Sequence, residues 1–395
     1  MPESKNTIAA TLNRQLDGAR LRVLIAGAGI AGATLGALLR RRGEPAAIIE
    51  RHGPEGDNGY MLGLLPLGGR VLNGLGLKDA YIAASQPMQD YVLHNRKGRV
   101  IQRFPLHDII DRFGLYRGIE RGAVLRLLRA NAGDIRYGAS IQAIAQEDTQ
   151  TRVTFDDGSE AAFDLVVLAD GVHSHSRGLI LTDAEVTPHE TGWGGFVVWT
   201  DTAKAEAQTY RELWASGWGM GLYPVKARSG MFLAGRAAEI SAMDPFAYAD
   251  RLLERPLPAP FADALRTIDR SAKAVYWPMS DIRSNVWARG RVVLLGDAAA
   301  GFLPTAGVGA SMAMDSAAAL ADELARADRD HMAFALSLYE KRQRHRVELA
   351  QKNSRQLAKY MFVNTPAMTA LRDQFMRFYS VDRMIADISK VMEGA

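Results

Sequence analysis

The stretch Val23-Leu24-Ile25-Ala26-Gly27-Ala28-Gly29-Ile30-Ala31-Gly32 constrains this chain more than any other. An apolar run enters three glycines, an amphipathic run continues to Arg42, and a second apolar run from Ala46 to Ile49 ends in Glu50 and Arg51. Strand, glycines, helix, strand and acid in that order describe a βαβ unit that holds a dinucleotide. Gly27 permits the tight turn, Gly29 lets the backbone approach a pyrophosphate, and Gly32 lets the helix close onto the strand. The helix N-terminus, at Ile30 and Ala31, then faces the phosphates. Glu50 stands where a carboxylate accepts hydrogen bonds from a ribose, with Arg51 beside it.

What is attached to this unit is limited by size and composition. A chain of 395 residues exceeds one small core, so two closely joined domains are expected. No apolar run is both long and uncharged enough to cross a bilayer, and the N-terminus lacks a charged-then-apolar signal layout, so a cytoplasmic location is expected. The chain has no cysteine, which excludes disulfides, thiolate metal sites, a redox dithiol and a cysteinyl cofactor link. No metal is implied. Net charge is only +4, and the basic runs Arg40-Arg41-Arg42 and Lys341 to Arg346 lack interleaved aromatic residues, so they read as solvated helix faces and not as a nucleic-acid surface.

In chain order, Met1 to Ala19 is polar and reads as a loose extension or an added short helix. Gly53 to Gly69 is glycine-rich and either follows a ligand closely or is a plain loop. A helix is predicted from Leu67 to Leu77, and hairpin strands at Tyr91 to His94 and Val100 to Phe104. Gly118-Ile119-Glu120-Arg121 opens a predicted helix through Leu128. Arg121 in its first turn opposes the helix dipole, which fits either an anionic or polar ligand or a surface arginine. Strands at Ile135 to Tyr137, Ser140 to Gln146 and Arg152 to Phe155 suggest a meander.

Two later strands have the form of the first. Phe163 to Ala169 runs into Asp170-Gly171, and Arg291 to Leu295 runs into Gly296-Asp297. In an open α/β sheet ligands sit beyond the carboxyl ends of strands, so the three turns should converge on one crevice. After Asp297, a loop with Pro304 gives way at Gly307, Val308, Gly309 and Ala310 to an alanine-rich helix reaching about Ala325, a second glycine-bearing helix start open to an anion. Between the two strands, Thr191 to Pro278 reads as an inserted antiparallel sheet with a short helical pair from Phe246 to Ile268. Trp193, Phe196, Trp199, Trp214, Trp218, Tyr223 and Trp277 are available there to line an apolar pocket, most of them as core.

With these motifs in place, the chain from about Leu21 to Ser354 resembles the flavin-dependent monooxygenases of the para-hydroxybenzoate hydroxylase type. Val23 to Glu50 looks like their GxGxxG site for the ADP half of FAD, Asp170-Gly171-Val172-His173-Ser174-His175-Ser176-Arg177 like their DGxxSxxR segment, and Gly296-Asp297 with Pro304, Gly307 and Gly309 like their GD motif. Ile119-Glu120-Arg121 is similar to the segment whose arginine contacts FAD. The resemblance implies that Asp297 hydrogen-bonds the ribityl chain, that Gly307 to Gly309 face the isoalloxazine, and that Asp170 and Arg177 serve FAD or the reductant NAD(P)H. It implies a reaction in which NAD(P)H reduces FAD, O2 adds as a C4a-hydroperoxide, and one oxygen atom passes to an aromatic or polycyclic small molecule. The cofactor would carry the chemistry. No base is assigned among His94, His107, His173, His175 and His189.

The chain departs from that family at Ala300, where a His is frequent, and at Val308 and Ser311, where Gly-Gln-Gly with a following Asn is frequent. The Trp-x-Trp-x-Ile-Pro signature of the halogenase relatives is not found. The expected division is an extension (1–20), a discontinuous Rossmann-like FAD domain (21–75, 105–180 and 285–355), a mainly antiparallel substrate domain (76–104 and 181–284) and a helical C-terminal cover (356–395). Met332 to Leu357 and Tyr360 to Met392 are predicted helical, covering the nucleotide domain or forming a dimer contact, with a monomer or homodimer both open. Two other readings stay open: a flavin oxidoreductase without oxygen insertion, and a nucleotide-binding protein that is not an enzyme.

Overall fold

The computed structural model describes residues 7–54, 59–201 and 208–378. Among these residues the strands form four sheets. The central one is six-stranded, in the order Ala288–Arg289, Val292–Leu294, Leu165–Leu168, Val23–Ala26, Ala47–Glu50 and Ile135–Tyr137. Apart from the antiparallel edge at Ala288–Arg289, its pairs are parallel, with Ile25 opposite Val167 on one side and Ile48 on the other. Every residue of Val23–Ala26 and of Leu165–Leu168 is buried, because helices cover both faces of such a sheet. The runs ending in Gly27, Asp170 and Gly296 are therefore adjacent strands, and their turns emerge at one edge.

A seven-stranded sheet stands beside it, in the order Val275–Ser284, Val186–Thr200, Ser229–Arg236, Trp218–Pro224, Thr209–Trp214, Asp90–Asn95 and Val100–Pro105. It is antiparallel except where Thr209–Trp214 runs parallel to Asp90–Asn95. The helices Pro245–Leu253 and Ala259–Arg266 fill the expected helical pair and close a core of Phe196, Leu233, Tyr248 and Phe261. Two small antiparallel sheets complete the set: Ile141–Gln146, Thr151–Phe155 and Glu160–Phe163, and Met61–Leu64, Arg117–Glu120 and Ser85–Pro87.

Several expectations change. Residues 117–120 are a strand, and the helix begins at Arg121 and runs to Ala132. The β-branched and glycine residues before Arg121 pair with Met61–Leu64, which places that strand inside the glycine-rich stretch. Ile135–Tyr137 joins the parallel sheet, and the meander is completed instead by Glu160–Phe163. The N-terminal segment contains a helix, Ile8–Gln15, capped by Thr7. It is pinned to the Asp157 turn by Ile8 N–H donating to Asp157 Oδ2 (2.8 Å) and Ala9 N–H to Ser159 Oγ (3.1 Å), with Leu12 and Leu16 buried.

The helix Met332–Met361 exceeds its expected length, and Pro366–Arg377 follows it; residues 379–392 of the second predicted helix lie outside the described residues. These helices do not cover the nucleotide unit alone. Met376, Leu357, Tyr360 and Met361 pack on Leu93, Ile101 and Trp214 of the seven-stranded sheet, and Arg372 donates to the Trp214 carbonyl (2.8 Å).

Candidate active site

Gly27 has φ +108°, and a Cβ there would stand 2.5 Å from the Ala169 carbonyl oxygen, so the first turn presses against the second motif. A Cβ on Gly32 would lie 2.0 Å from Gly27 O, which fixes the approach of the helix Ile30–Arg41 to its own turn. Gly29 differs: it is the N-cap of that helix and a Cβ would meet nothing within 4 Å. Two of the three glycines thus serve the backbone packing. The third leaves unpaired helix-start amides facing open space, which is what a phosphate requires.

Glu50 accepts from Ala28 N–H and His52 N–H, both at 3.0 Å, so it braces the glycine turn and keeps spare lone pairs. Arg51 is exposed and meets His52 Nε2 (3.0 Å). In the second motif, Asp170 accepts from the Ser174 hydroxyl and from Ser176 N–H and Oγ–H, while Arg177, only 8% exposed, donates to Ala298 O (3.0 Å) and Val172 O (3.1 Å). These two side chains tie the second turn to itself and to the third. Gly171, with φ +87°, presents its backbone to the cavity described below.

The third motif approaches the first through Gly296, with φ +63°, where a Cβ would lie 2.7 Å from Ala31 Cβ. Asp297 sits on the cavity wall, its carboxyl pushed up to about 6 by burial, with the Arg121 guanidinium partly opposing that rise. Arg121 reaches the wall because its N–H donates to Tyr60 O (2.8 Å) and its guanidinium lies 5.5 Å from the Tyr60 ring centroid. Tyr60 in turn packs on Trp277 at 4.7 Å. Gly307 adopts φ +60° after the turn Pro304–Ala306, and Val308 caps the helix Gly309–Leu324. That loop is held by the helix Met332–Met361: Thr305 Oγ1 donates to Ser354 O (2.8 Å) and Gln351 to Gly301 O (2.7 Å).

Gly29, Ile30, Ala31, Arg121, Gly171, Asp297, Pro304, Gly307, Val308, Gly309 and Ala310 line one cavity of about 840 Å³. Gly27, Gly32, Glu50, Arg51, Asp170, Arg177 and Gly296 do not line it. Of the seven expected aromatics, Trp214, Tyr223 and Trp277 reach the cavity. Trp199 instead lies 3.7 Å under Arg228, Trp193 stacks on Phe362, Trp218 meets Arg255, and Phe196 is core. The five named histidines do not line it. Ala300 and Ser311 are buried, Ser311 accepting from Leu65 N–H (3.0 Å), so the departures at these positions fall behind the wall. Missed in the sequence were Tyr60, Tyr91, Tyr116, Tyr210 and Glu212, all on the wall. The alternation Tyr210, Glu212, Trp214 was the available signal, since period two puts all three on one face.

A βαβ unit with open helix-start amides, a carboxylate and a guanidinium beside a second glycine-bearing helix start, and an aromatic chamber behind them define a dinucleotide-dependent oxidoreductase. Residues 20–354 match the model of the FAD binding domain family. The chain is 30% identical to the aurachin C monooxygenase/isomerase of Stigmatella aurantiaca over 311 residues, covering 76% of this chain and 80% of that protein. It is also 30% identical to the 3-amino-4-hydroxybenzoate 2-monooxygenase of Streptomyces cremeus over 315 residues, covering 76% and 77%. In fold it is similar to Klebsiella pneumoniae HpxO complexed with FAD and uric acid, with a TM-score of 0.84, 23% identity, and 94% and 97% of the two chains covered. The chain belongs to the FAD-dependent monooxygenases. It is a flavoprotein oxidoreductase with a mixed α/β fold and a helical C-terminal segment.

Proposed function

We propose that this enzyme uses NAD(P)H and O2 to hydroxylate an aromatic or polycyclic small molecule in the 840 Å³ cavity. The observation that carries the reading is the single cavity that joins both helix starts, Asp297 and Arg121 to an aromatic chamber. The donor set fits FAD. The amides at Gly29 to Ala31 would hold the pyrophosphate, Glu50 the ribose and Asp297 the ribityl hydroxyls, and Gly307 to Ala310 would serve the isoalloxazine. FAD, when bound, supplies hydride acceptance and oxygen activation.

The chain's own residues supply position and polarity. The start of the helix Gly309–Leu324 turns its positive end to the cavity, where it would favour negative charge on a bound flavin. Arg121 adds a fixed cation on the same wall. Trp214, Tyr223 and Trp277 flank a planar substrate and exclude water. Asp170 and Arg177 act by holding the second and third turns together. The six-stranded sheet and its helices form the FAD unit, and the seven-stranded sheet carries substrate. The relative from Streptomyces cremeus is named for an aminohydroxybenzoate and the HpxO structure holds uric acid, which supports a ring substrate here.

The test is a visible spectrum of the purified protein followed by NADH and NADPH consumption with a panel of aromatic compounds. Bound flavin and compound-stimulated consumption are expected. Consumption that no ring compound stimulates would favour a flavin oxidoreductase without oxygen insertion.

A further inference from the structure

The far wall of the cavity is built around a buried carboxylate. Glu212, 6% exposed on the strand Thr209–Trp214, accepts three hydrogen bonds of 2.7 Å each: from Tyr223 Oη on Oε1, and from Tyr91 Oη and Trp214 Nε1 on Oε2. These donors come from three paired strands. Tyr223 reaches Glu212 only because residue 221 is glycine, since a Cβ there would lie 2.2 Å from the Tyr223 hydroxyl. Burial holds the Glu212 carboxyl above the usual carboxylate range, a rise the three donors offset only in part; burial also pushes the phenols of Tyr91 and Tyr223 well above their ordinary value, so both stay neutral donors.

A phenol has one proton. With the protons of Tyr91 and Tyr223 committed to Glu212, both hydroxyl oxygens show only lone pairs to the cavity, and the carboxylate keeps about one of its four acceptor positions. The rings of Tyr116 and Tyr210, 5.7 Å apart, and of Tyr223, 5.3 Å from Tyr210, form flat apolar flanks beside these acceptors. Such a wall pairs with a planar ring that carries a donor. A ligand carboxylate there would be buried against a like charge, with only the neutral Tyr116 and Tyr210 hydroxyls on the same wall to donate to it, which is costly.

We propose that Glu212, with Tyr91 and Tyr223, selects the substrate's polar substituent: an aromatic amine or phenol directs its N–H or O–H at this group, and a ring whose polar substituent is a carboxylate is rejected. This rests on the hydroxylase reading for the use of the cavity, but its test needs no turnover. Dissociation constants for 2-naphthylamine, 2-naphthol and 2-naphthoate, which share a ring without a donor of its own, are measured on the FAD-loaded enzyme, without reductant, from the change in flavin absorbance. The amine and the phenol are expected to bind at least about tenfold more tightly than the carboxylate, as one hydrogen bond to a charged acceptor gives. Glu212→Gln, whose amide cannot accept all three donors, is expected to reduce that ratio to about threefold or less. Tyr223→Phe, which keeps the ring and removes one acceptor oxygen, is expected to reduce it less and serves if the first variant loses FAD. Equal or tighter binding of the carboxylate, an unchanged ratio in both variants, or binding of none of the three would overturn the assignment. Failure of the hydroxylase reading would show separately, as turnover without oxygen transfer.

Discussion

Asp297 has a pH signature of its own. Burial raises its carboxyl to about 6 from an ordinary 3.8, so the folded protein holds this proton more tightly than the unfolded chain does. Folding stability without FAD is therefore greatest below pH 4 as far as this group is concerned, and falls as pH rises through 6, by up to about 3 kcal/mol. Asp297→Asn is expected to make the FAD-free protein more stable than wild type at pH 7, with the difference closing below pH 4 in thermal melts, while its FAD content falls. The glycines make a sharper pair. Gly32→Ala puts a Cβ onto Gly27 O and is expected to cost more than about 3 kcal/mol. Gly29→Ala meets no atom, so its FAD-free stability should stay within about 0.5 kcal/mol of wild type, yet the purified protein should be poor in FAD. A Gly29→Ala protein with full flavin would remove that amide cluster from the site. The glycines were legible in the sequence because their spacing between an apolar strand and an amphipathic helix is itself a local pattern, although Gly27 answers to Ala169 across the sheet. Glu212 was not, because its meaning depends on Tyr91, 121 positions earlier, and on a register no local pattern states.

At the scale of elements, the strands that enter the three turns were legible as apolar runs, since a strand buried on both faces shows its burial directly. The segment 117–120 was not, because it runs directly into the helical spacing of Val124, Leu125 and Leu128 and only the pairing with Met61–Leu64 decides between strand and helix. Arg177 shows the same limit: its motif marked it for the cofactor, whereas its guanidinium bridges two turns through the Ala298 and Val172 carbonyls. Removing it leaves the part-buried Val172 carbonyl short of a donor and the buried Ala298 carbonyl with only a 3.4 Å contact from Ser284 Oγ. Arg177→Ala is expected to destabilise the FAD-loaded protein by about 2–3 kcal/mol in thermal unfolding, and Lys, which cannot span both carbonyls from one planar group, should not restore it. The helix Pro366–Arg377 is anchored by Arg372 on Trp214, one of the chamber's own residues. Arg372→Ala should raise the KM for an aromatic substrate while FAD content stays at the wild-type level, as measured by steady-state NAD(P)H oxidation.

For the whole molecule, the parallel sheet brings three distant turns to one edge, the mixed sheet supplies an aromatic wall, and the C-terminal helices roof the space between them. Among the described residues no helix is long and apolar enough to cross a membrane. The two sheets were readable from the motifs and strand runs, but the roof was not, because an amphipathic basic helix looks the same whether it covers a cofactor, a substrate or a second subunit. Oxygen transfer remains the step on which the function turns. The decisive measurement is turnover of a stimulating aromatic compound with NAD(P)H under isotopically labelled O2, with mass analysis of the product. One labelled oxygen atom per product molecule is expected. Product that carries oxygen only from water, or flavin turnover that leaves the compound unchanged, would contradict monooxygenation.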